Sequence, residues 1–508
     1  MTVIASGINE IPPPLRVGVH ASFSESAPEI AYVLRTLLTL AGFPYDLSIV
    51  GDSPSEPLDI FYGPPGNEPS ATLRIPGDPQ RFRQLAQLTP VSLVRRDGLH
   101  WIDFGDGALG LAQTANGDVR MRGDILLGAF WMLSGVSEPS LRRDRWDNLQ
   151  LDGTFVGAPE ILRTPIVSLY GSWIREFFCA RGRDPLLPPW ARPGHTTGFV
   201  FSHDIDYPEI IKPIEIARLM LSRGLKGLPL AGRVLAGKSN FWNFREWMAF
   251  ERAHGARGAY YFIARRGSLI EYALGTPDGF YDVRSRRFRE VFKALREEGF
   301  EIGLHASYHA HKSADALRKE KAVLEEAAKV AVRGNRHHYW HLDPSAPHDT
   351  LAMHEEAHFQ YDSSLAFEMQ PGFRRGICHP FRPYHPGERR ALRVVQLPPT
   401  WMDDHFDRRL ARNGITAPDE VARALLDVVR DTGGVAVVNY HERGMNADFF
   451  PRYGAWLGQF LQRTADASFV FHRPRDVAEM FEAHERMLDV RSRERLGLRE
   501  SVMVHVNR

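Results

Sequence analysis

Cysteine is almost absent from this chain, since only Cys179 and Cys378 occur among 508 residues. Two cysteines cannot build a disulfide framework, so the class of disulfide-rich secreted domains is excluded and a reducing compartment is expected. Long apolar runs are also missing. The richest windows, around 37–40 and 125–133, are much shorter than a membrane-spanning helix, and residues 1–14 lack the pattern of a signal peptide. We therefore expect a cytoplasmic protein without a membrane span.

The sequence also lacks an excess of charge of one sign. It has 63 lysine and arginine residues against 62 aspartate and glutamate residues, a net charge of +1. Binding to nucleic acid or to an anionic membrane usually requires a basic face that shows in this balance, so the balance disfavours both roles and we expect no nucleic-acid partner. The hydrophobic fraction of 43% and the charged fraction of 25% are typical of globular proteins. The length is too great for one core and predicts two or three domains.

Residues 1–160 are predicted to form a smaller α/β domain. Residues 16–20 have the pattern of a strand, and apolar residues between Ile30 and Ala41 mark one face of a helix that ends near Gly42. Short strand-like runs follow at 60–63 and 72–76, and a second helix is expected at 123–133. This region shows no catalytic constellation. Residues 161–197 are interpreted as a helix and a proline-rich linker.

Residues 198–483 alternate between strand and helix patterns, and residues 484–508 are interpreted as a charged tail that begins as a solvated helix. The predicted strands are 198–203, 258–263, 300–305, 333–339, 359–365, 392–397, 434–441 and 468–472. The predicted helices are 243–254, 285–298, 314–330 and 418–430, the last with Thr416 as its N-cap. Apolar strands that alternate with helices indicate a parallel sheet covered on both faces. Seven to eight repeats favour a distorted (β/α) barrel over an open sheet.

Chemically reactive side chains fall where the predicted strands end. Asp204 and Asp206 follow the first strand and, at positions i and i+2, point to the same side. His305 and His309 follow the third strand at the i, i+4 spacing that places two rings on one side of a helix. In a barrel these strand ends meet at one mouth. The pattern predicts one divalent metal held between carboxylates and histidines, with one carboxylate left as a base, and hence a metal-dependent hydrolase.

Several further strings share their order and spacing with a known family: 202–206, 305–309, 334–340, 361–365, 372–376 and 379–383. Together they resemble the polysaccharide deacetylase superfamily (NodB homology, carbohydrate esterase 4), in a subgroup with an α/β N-terminal domain. The resemblance covers roughly 198–480. It implies a NodB-like barrel and the removal of N-acetyl groups from the amino sugars of a polysaccharide or its precursor.

The resemblance also implies a role for each matching residue. Asp204 would be the catalytic base and Arg336 its partner, while His441 would donate a proton to the leaving amine. Zinc, or alternatively cobalt, nickel or manganese, would be bound by Asp206, His305 and His309.

Three positions depart from the family pattern. Ile205 separates the two aspartates, Ala306 replaces a hydroxyl residue and His338 replaces a proline. The last departure leaves open whether His338 serves as a substitute metal ligand.

Other interpretations of the sequence stay open. The same barrel could hydrolyse another C–N bond, as in a cyclic imide or amide, or the chain could be a catalytically silent carbohydrate-binding protein. The string 354–358 matches the zinc-protease pattern H-E-x-x-H, but a strand-like segment follows at once where a long helix is required. A carbohydrate is the expected partner. Four aromatic residues could stack on its sugar rings, although each could equally belong to the core: Tyr308, Tyr339, Trp340 and Trp401. The sequence does not indicate an oligomeric state.

Overall fold

The computed structural model describes residues 12–51, 57–66, 69–105, 107, 109–114, 117–150, 160–190, 197–274, 278–406, 418–451, 457 and 469–495. Thr416, the predicted N-cap, lies outside these residues. In the part of the chain that is described, no helix is both long enough and apolar enough to cross a membrane. Cys179 is exposed and Cys378 is buried, and both are free thiols.

The first strands of the chain are β1 Leu15–His20, β2 Tyr45–Val50, β3 Leu58–Gly63, β4 Ala71–Pro76, β5 Ser92–Arg96, β6 Leu99–Asp103, β7 Leu111–Gln113 and β8 Val119–Met121. Six of them form the first sheet in the order β2-β1-β3-β4-β8-β7, and a separate hairpin pairs β5 with β6. The helices are α1 Ala27–Ala41, α2 Pro79–Arg83, α3 Ile125–Ser134, α4 Glu160–Arg163 and α5 Ile166–Cys179. Helix α1 ends because Gly42, at φ 83°, adopts the left-handed conformation that glycine accepts without strain.

The core of this first sheet continues into later parts of the chain. Leu351, Leu365 and Phe381 belong to the same buried cluster as α1 and α3. The ring of Tyr32 lies 4.8 Å from that of Tyr384, measured between centroids. The domain boundaries near 160 and 198 therefore remain a prediction.

The second sheet is entirely parallel and runs in the order β16-β13-β12-β11-β10-β9-β18-β17, with β19 also paired to β9. Its strands are β9 Thr197–Ile205, β10 Ala259–Phe262, β11 Glu301–Ala306, β12 Gly334–His337, β13 Tyr361–Asp362, β16 Val395–Gln396, β17 Trp401–Met402, β18 Val435–His441 and β19 Phe469–Phe471; the two-residue strands β14 Tyr384–His385 and β15 Arg390–Ala391 form a separate hairpin. All eight predicted strands are present. β9 is longer than predicted, the other seven are shorter or shifted, and β17 is an additional strand.

This second sheet is strongly curled. Its two edge strands, β16 and β17, are separated by only four residues, 397–400. An extended chain of that length spans about 18 Å, whereas the edges of a flat eight-stranded sheet would lie about 34 Å apart. The short connection therefore requires the sheet to bend towards closure, as expected for a distorted barrel.

Helices alternate with the strands of the curled sheet, as predicted, and several of them cover its outside. The helices are α6 Lys212–Arg223, α7 Leu228–Leu235, α8 Phe244–Ala253, α9 Leu269–Leu274, α10 Arg286–Glu297, α11 Ala314–Ala328, α12 Pro347–Glu356, α13 Pro418–Thr432 and α14 Pro474–Arg495. Along β9, Phe199 and Phe201 pack in the cluster that contains α8 and α10, whereas Val200 belongs to a different cluster with Tyr261 and Val437. Successive side chains thus alternate between the two faces.

The helix expected after residue 484 is present as far as Arg495, but its first residues are not solvated. Helix α14 runs without a break past residue 484, and His484, Glu485 and Leu488 are buried. Glu485 accepts a hydrogen bond from Arg382, and Asp489 pairs with Arg35 of α1 at 2.8 Å. This part of the helix therefore packs against the first sheet's helix instead of extending into solvent.

Candidate active site

The reactive side chains lie together because parallel strands end at the same edge of the curled sheet. The register sets Asp204 of β9 opposite His441 of β18, and His305 of β11 opposite Arg336 of β12. Asp206 follows β9 by one residue. Five side chains that the sequence predicts as site residues are therefore brought to one mouth of the sheet.

Arg336 holds Asp204 in a fixed orientation. Its guanidinium, which is inaccessible to solvent, donates to Asp204 Oδ1 at 2.9 Å and to the hydroxyls of Ser202 and Ser363. The second oxygen of Asp204 accepts a hydrogen bond from Asn439 Nδ2 at 2.7 Å. Burial raises the pKa of Asp204, but the charge of Arg336 outweighs this with help from His305, so the pKa lies below its ordinary value. Asp204 is therefore ionised.

Asp206 lies at the centre of a cluster of imidazoles. Its Oδ1 is 3.2 Å from His305 Nε2 and 3.4 Å from His338 Nε2, while its Oδ2 is 3.2 Å from His441 Nε2. Burial raises the pKa of the Asp206 carboxyl, but the nearby imidazoles, foremost His338, hold it well below its ordinary value. The carboxylate of Asp206 and the Nε2 atoms of the three histidines therefore meet in one small volume.

The orientation of His305 leaves one ring nitrogen directed at Asp206. Its Nδ1 lies 2.8 Å from the carbonyl oxygen of Arg336 and must carry the proton, because a carbonyl can only accept. In the neutral ring Nε2 then presents a lone pair. Among the described residues, neither His305 Nε2 nor Asp206 Oδ1 has a hydrogen-bond partner of acceptable geometry. Two buried electron-pair donors that face one another require a proton or a cation between them.

These residues fit a divalent metal. One ligand atom from each of Asp206, His305 and His338 lies within 4.8 Å of the others, and all three residues are buried. Nitrogen and carboxylate donors of this kind suit zinc and related transition metals, and three protein ligands leave a coordination position open.

A second carboxylate stands behind His338. Asp278 Oδ1 lies 3.6 Å from His338 Nδ1 and accepts a hydrogen bond from the Tyr308 amide at 2.9 Å. The other oxygen of Asp278 forms an ion pair with Arg265. Burial raises the pKa of Asp278, but His338 and these other contacts bring it below its ordinary value. The 3.6 Å separation is within ion-pair distance but is not a hydrogen bond. Asp278 therefore lies where its charge can orient the His338 ring.

His309 is not part of this cluster. Strand β11 includes His305 and ends at Ala306, and His309 lies in the following 3₁₀ helix, Tyr308–Lys312, where it is exposed. The i, i+4 rule applies only when both residues belong to one α-helix, so the spacing does not bring the two rings together here. The position next to Asp206 and His305 is taken by His338.

His441 is paired with a carboxylate on its other side. Its Nδ1 lies 2.6 Å from Asp403 Oδ1, and its backbone amide donates to Asp403 Oδ2 at 2.8 Å. Burial lowers the pKa of His441, but the negative charge of Asp403 more than compensates, and the pKa is well above its ordinary value. His441 is therefore a protonated imidazole near neutral pH, with Nε2–H directed at the site.

A cavity of about 100 Å³ lies at the mouth of the sheet. The site residues that line it include Asp204, Asp206, His305, His338 and His441. Tyr339 and Trp340 contribute to its wall, both with positive φ angles (59° and 48°), a strained conformation for non-glycine residues. Of the other aromatics considered for sugar stacking, Trp401 is completely buried in the core and Tyr308 stacks on His341 at 3.9 Å. Only Tyr339 and Trp340, of these four, line the cavity.

The H-E-x-x-H string does not form a metal site in the structure. Helix α12 ends at Glu356, two residues before His358, which is exposed and has a φ of 57°. His354 is buried and lies 2.8 Å from His337 Nε2. The expectation of a helix end before a strand is confirmed.

Several residues of this site were not identified from the sequence, among them Asp278, Asp403, Asn439 and Arg443, whose guanidinium lies 3.9 Å from Asp206 Oδ2. Asn439 precedes His441 by two residues on β18, so the alternation used for Asp204 and Asp206 could have identified it. Asp403 directly follows β17, but a strand of two residues leaves no periodicity. Asp278 lies in an irregular connection and Arg443 in a short 3₁₀ helix, Glu442–Met445, so neither belongs to a periodic pattern.

Similar solved structures include a protein named as a polysaccharide deacetylase from Mycobacterium smegmatis, with 20% identity over 59% of this chain and 96% of its own and a TM-score of 0.39. Another polysaccharide deacetylase, from Pseudomonas aeruginosa PAO1, has 16% identity over 59% and 95% of the two chains and a TM-score of 0.38. Puue allantoinase has 14% identity over 59% and 94% of the chains and a TM-score of 0.39. No family model and no curated protein matches the sequence. The function of this chain is therefore sought in the chemistry of its own site.

Proposed function

We propose that the protein is a metal-dependent hydrolase that removes N-acetyl groups from amino sugars of a polysaccharide or its precursor. The observation that carries the proposal is the position of Asp206. Its carboxylate lies within 3.4 Å of the Nε2 atoms of His305 and His338, between an ionised aspartate and a protonated histidine. Metal ligands, a base and an acid are thus provided at one edge of the sheet, by the ends of β9, β11, β12 and β18. The three proposed ligands are Asp206, His305 and His338.

The side chains around the three proposed ligands carry out the proton transfers of the reaction. A bound divalent cation supplies Lewis acidity to the amide carbonyl and to a water molecule. Asp204, ionised and oriented by Arg336 and Asn439, accepts the proton of the attacking water. His441, on the other side of Asp206, donates its Nε2 proton to the departing amine. Acid and base lie on the two neighbouring strands β9 and β18, so one substrate can reach both.

The intact acid, base and ligand set favours an enzyme over a silent carbohydrate-binding protein. A binding protein has no need for a buried, ionised Asp204 or for a histidine kept protonated by Asp403, since burying such charges without function is costly. The aromatic wall formed by Tyr339 and Trp340 provides a surface on which a sugar ring can stack.

Metal content and acetate release test the proposed function directly. We expect purified protein to contain about one zinc or related ion per chain by mass spectrometry, and to release acetate from N-acetylglucosamine oligomers. Chelator treatment should abolish the release, and readdition of zinc, cobalt, nickel or manganese should restore it. Hydantoin and succinimide serve as comparison substrates. Turnover of these cyclic imides without acetate release would contradict the substrate assignment, and a metal-free protein with full activity would contradict the mechanism.

The Asp403–His441 pair predicts a pH effect. Asp403 raises the pKa of His441, so the acid stays protonated, and kcat/KM is maintained, up to that raised pKa and declines above it. In Asp403→Asn the pKa of His441 falls. We therefore expect the alkaline limb of the kcat/KM profile to begin at lower pH and kcat to drop by about 10- to 100-fold at pH 8.

The matched comparison for this experiment is Asp404→Asn, which removes the neighbouring carboxylate. A carboxylate oxygen of Asp404 lies within 4.8 Å of a ring nitrogen of His441, whereas Asp403 contacts the ring at 2.6 Å. The alkaline limb should therefore move in the same direction as in Asp403→Asn, but by less. An unchanged limb in Asp403→Asn would exclude His441 as the titrating acid.

A further inference from the structure

A helical hairpin projects beside the site and has not been given a role. It consists of α6, a 3₁₀ turn at Gly224–Gly227 and α7. One side of the hairpin is packed, since Leu219, Leu230 and Val234 form a small buried cluster against which Phe449 also packs. Gly224, with φ 55° and ψ −141°, adopts a conformation at the tip that only glycine reaches readily. The hairpin is thus a built element with an inner and an outer side.

The outer side of the hairpin is apolar and exposed. Leu221 is 89% exposed, Leu225 79%, Leu228 53% and Leu235 64%. Helix α9, which accepts a hydrogen bond from Arg218 of α6 at Ala273, adds Leu269 and Ile270. Six of the eleven large exposed apolar side chains in the described part of the chain therefore belong to this region. Such a concentration marks an interaction surface.

The charge of the hairpin is also one-sided. Residues 212–238 contain six lysine and arginine residues and a single glutamate, Glu215, although the whole chain is almost neutral. Arg223 and Lys226 at the tip are exposed and flank Leu225. A basic amphipathic segment with protruding leucines fits an anionic lipid surface, which offers apolar depth and negative headgroups together.

The hairpin is placed next to the mouth of the sheet. It follows β9 directly after Asp206 and Tyr207, which lines the cavity. Its packed side contacts Phe449, a few residues after Arg443, which also lines the cavity. A surface bound by the hairpin would therefore lie beside the entrance to the site.

We propose that the hairpin tip, with Leu221, Leu225, Arg223 and Lys226, docks the protein on an anionic membrane surface. The leucines enter the boundary between headgroups and acyl chains, and the basic side chains contact the anionic headgroups. Docking of this kind positions the cavity mouth at the bilayer and does not require a membrane-spanning segment. The proposal is independent of the reaction assigned to the site.

Vesicle co-sedimentation of the full chain tests this proposal. We expect binding to vesicles of equal parts phosphatidylcholine and phosphatidylglycerol, little binding to phosphatidylcholine alone, and weakening by salt. The variant L221S/L225S should lower the affinity about tenfold or more, and R223E/K226E should do the same at low salt. V91S, which changes an apolar side chain that is 59% exposed elsewhere, is the matched control and should bind as the wild type does.

Several results would overturn the proposal. Wild-type protein that does not bind the anionic vesicles, or that binds them equally well with either tip variant, excludes membrane docking by the hairpin. Membrane docking is also excluded if light scattering shows a wild-type dimer that becomes a monomer in L221S/L225S while no vesicle binding is seen. The leucines would then serve self-association. Matching thermal unfolding of the variants and the wild type confirms that the substituted side chains are dispensable for folding.

Discussion

Replacing His338 with alanine is expected to abolish stable zinc binding, whereas replacing His309 is expected to leave it intact. His338 Nε2 lies 3.4 Å from Asp206 Oδ1 and, with His305, completes a group of three buried ligands. Removal of one of three protein ligands should lower zinc affinity by more than about 100-fold, since loss of a supporting group alone costs 10- to 100-fold. His309 is exposed and outside the group.

Zinc titration against a chromophoric chelator measures this difference, with acetate release as a second readout. Asp278→Asn provides an intermediate case, because it removes the carboxylate behind His338 but no ligand, and we expect a 10- to 100-fold loss of affinity. Thermal unfolding of the zinc-free proteins controls for misfolding. Loss of zinc in His309→Ala together with retention in His338→Ala would restore the ligand set implied by the family resemblance.

The contrast between His309 and His338 shows what a sequence pattern can and cannot predict. The strand pattern around 300–305 correctly places His305 at a strand end. The pairing with His309 required a helix to start at once, but Ser307 is extended (φ −59°, ψ 155°) and a short 3₁₀ helix follows. His338 was recognised as a departure from the family pattern and left open as a substitute metal ligand. Its selection depends on how β12 and β11 align, which is a long-range property.

The same difference between local patterns and long-range alignment explains which other site residues could be predicted from the sequence. Asp204, Asp206 and Arg336 were predictable because a strand fixes direction by simple alternation and the ends of parallel strands meet. Asp403 and Asp278 come into position through a two-residue strand and an irregular loop, which no local periodicity describes. The short connection at 397–400 that curls the sheet is likewise visible only once β16 and β17 are known to be its edges.

Replacing Asp204 with asparagine is expected to lower kcat by about 10²- to 10⁴-fold while zinc is retained. Asparagine cannot accept a proton, and the proposed ligands Asp206, His305 and His338 are unchanged. A second effect follows from burial. Arg336, fully inaccessible to solvent, would lose its only carboxylate partner within 4.0 Å among the described residues, and unpairing a buried charge typically costs about 3–5 kcal/mol.

Both effects can be measured on the same protein preparation. Acetate release with zinc content per chain gives the catalytic loss, and urea unfolding gives the loss of stability. Ser363→Ala is the matched control, because it removes a hydroxyl that accepts a hydrogen bond from the Arg336 guanidinium at 3.0 Å but leaves the base in place. It should cost about 1.5–3 kcal/mol of stability and little activity. Retained activity in Asp204→Asn would exclude Asp204 as the base, and loss of zinc in that variant would exchange the proposed roles of Asp204 and Asp206. Loss of kcat with zinc bound, in a protein that is still folded under the assay conditions according to its urea unfolding curve, would support the loss of the proton acceptor as the cause.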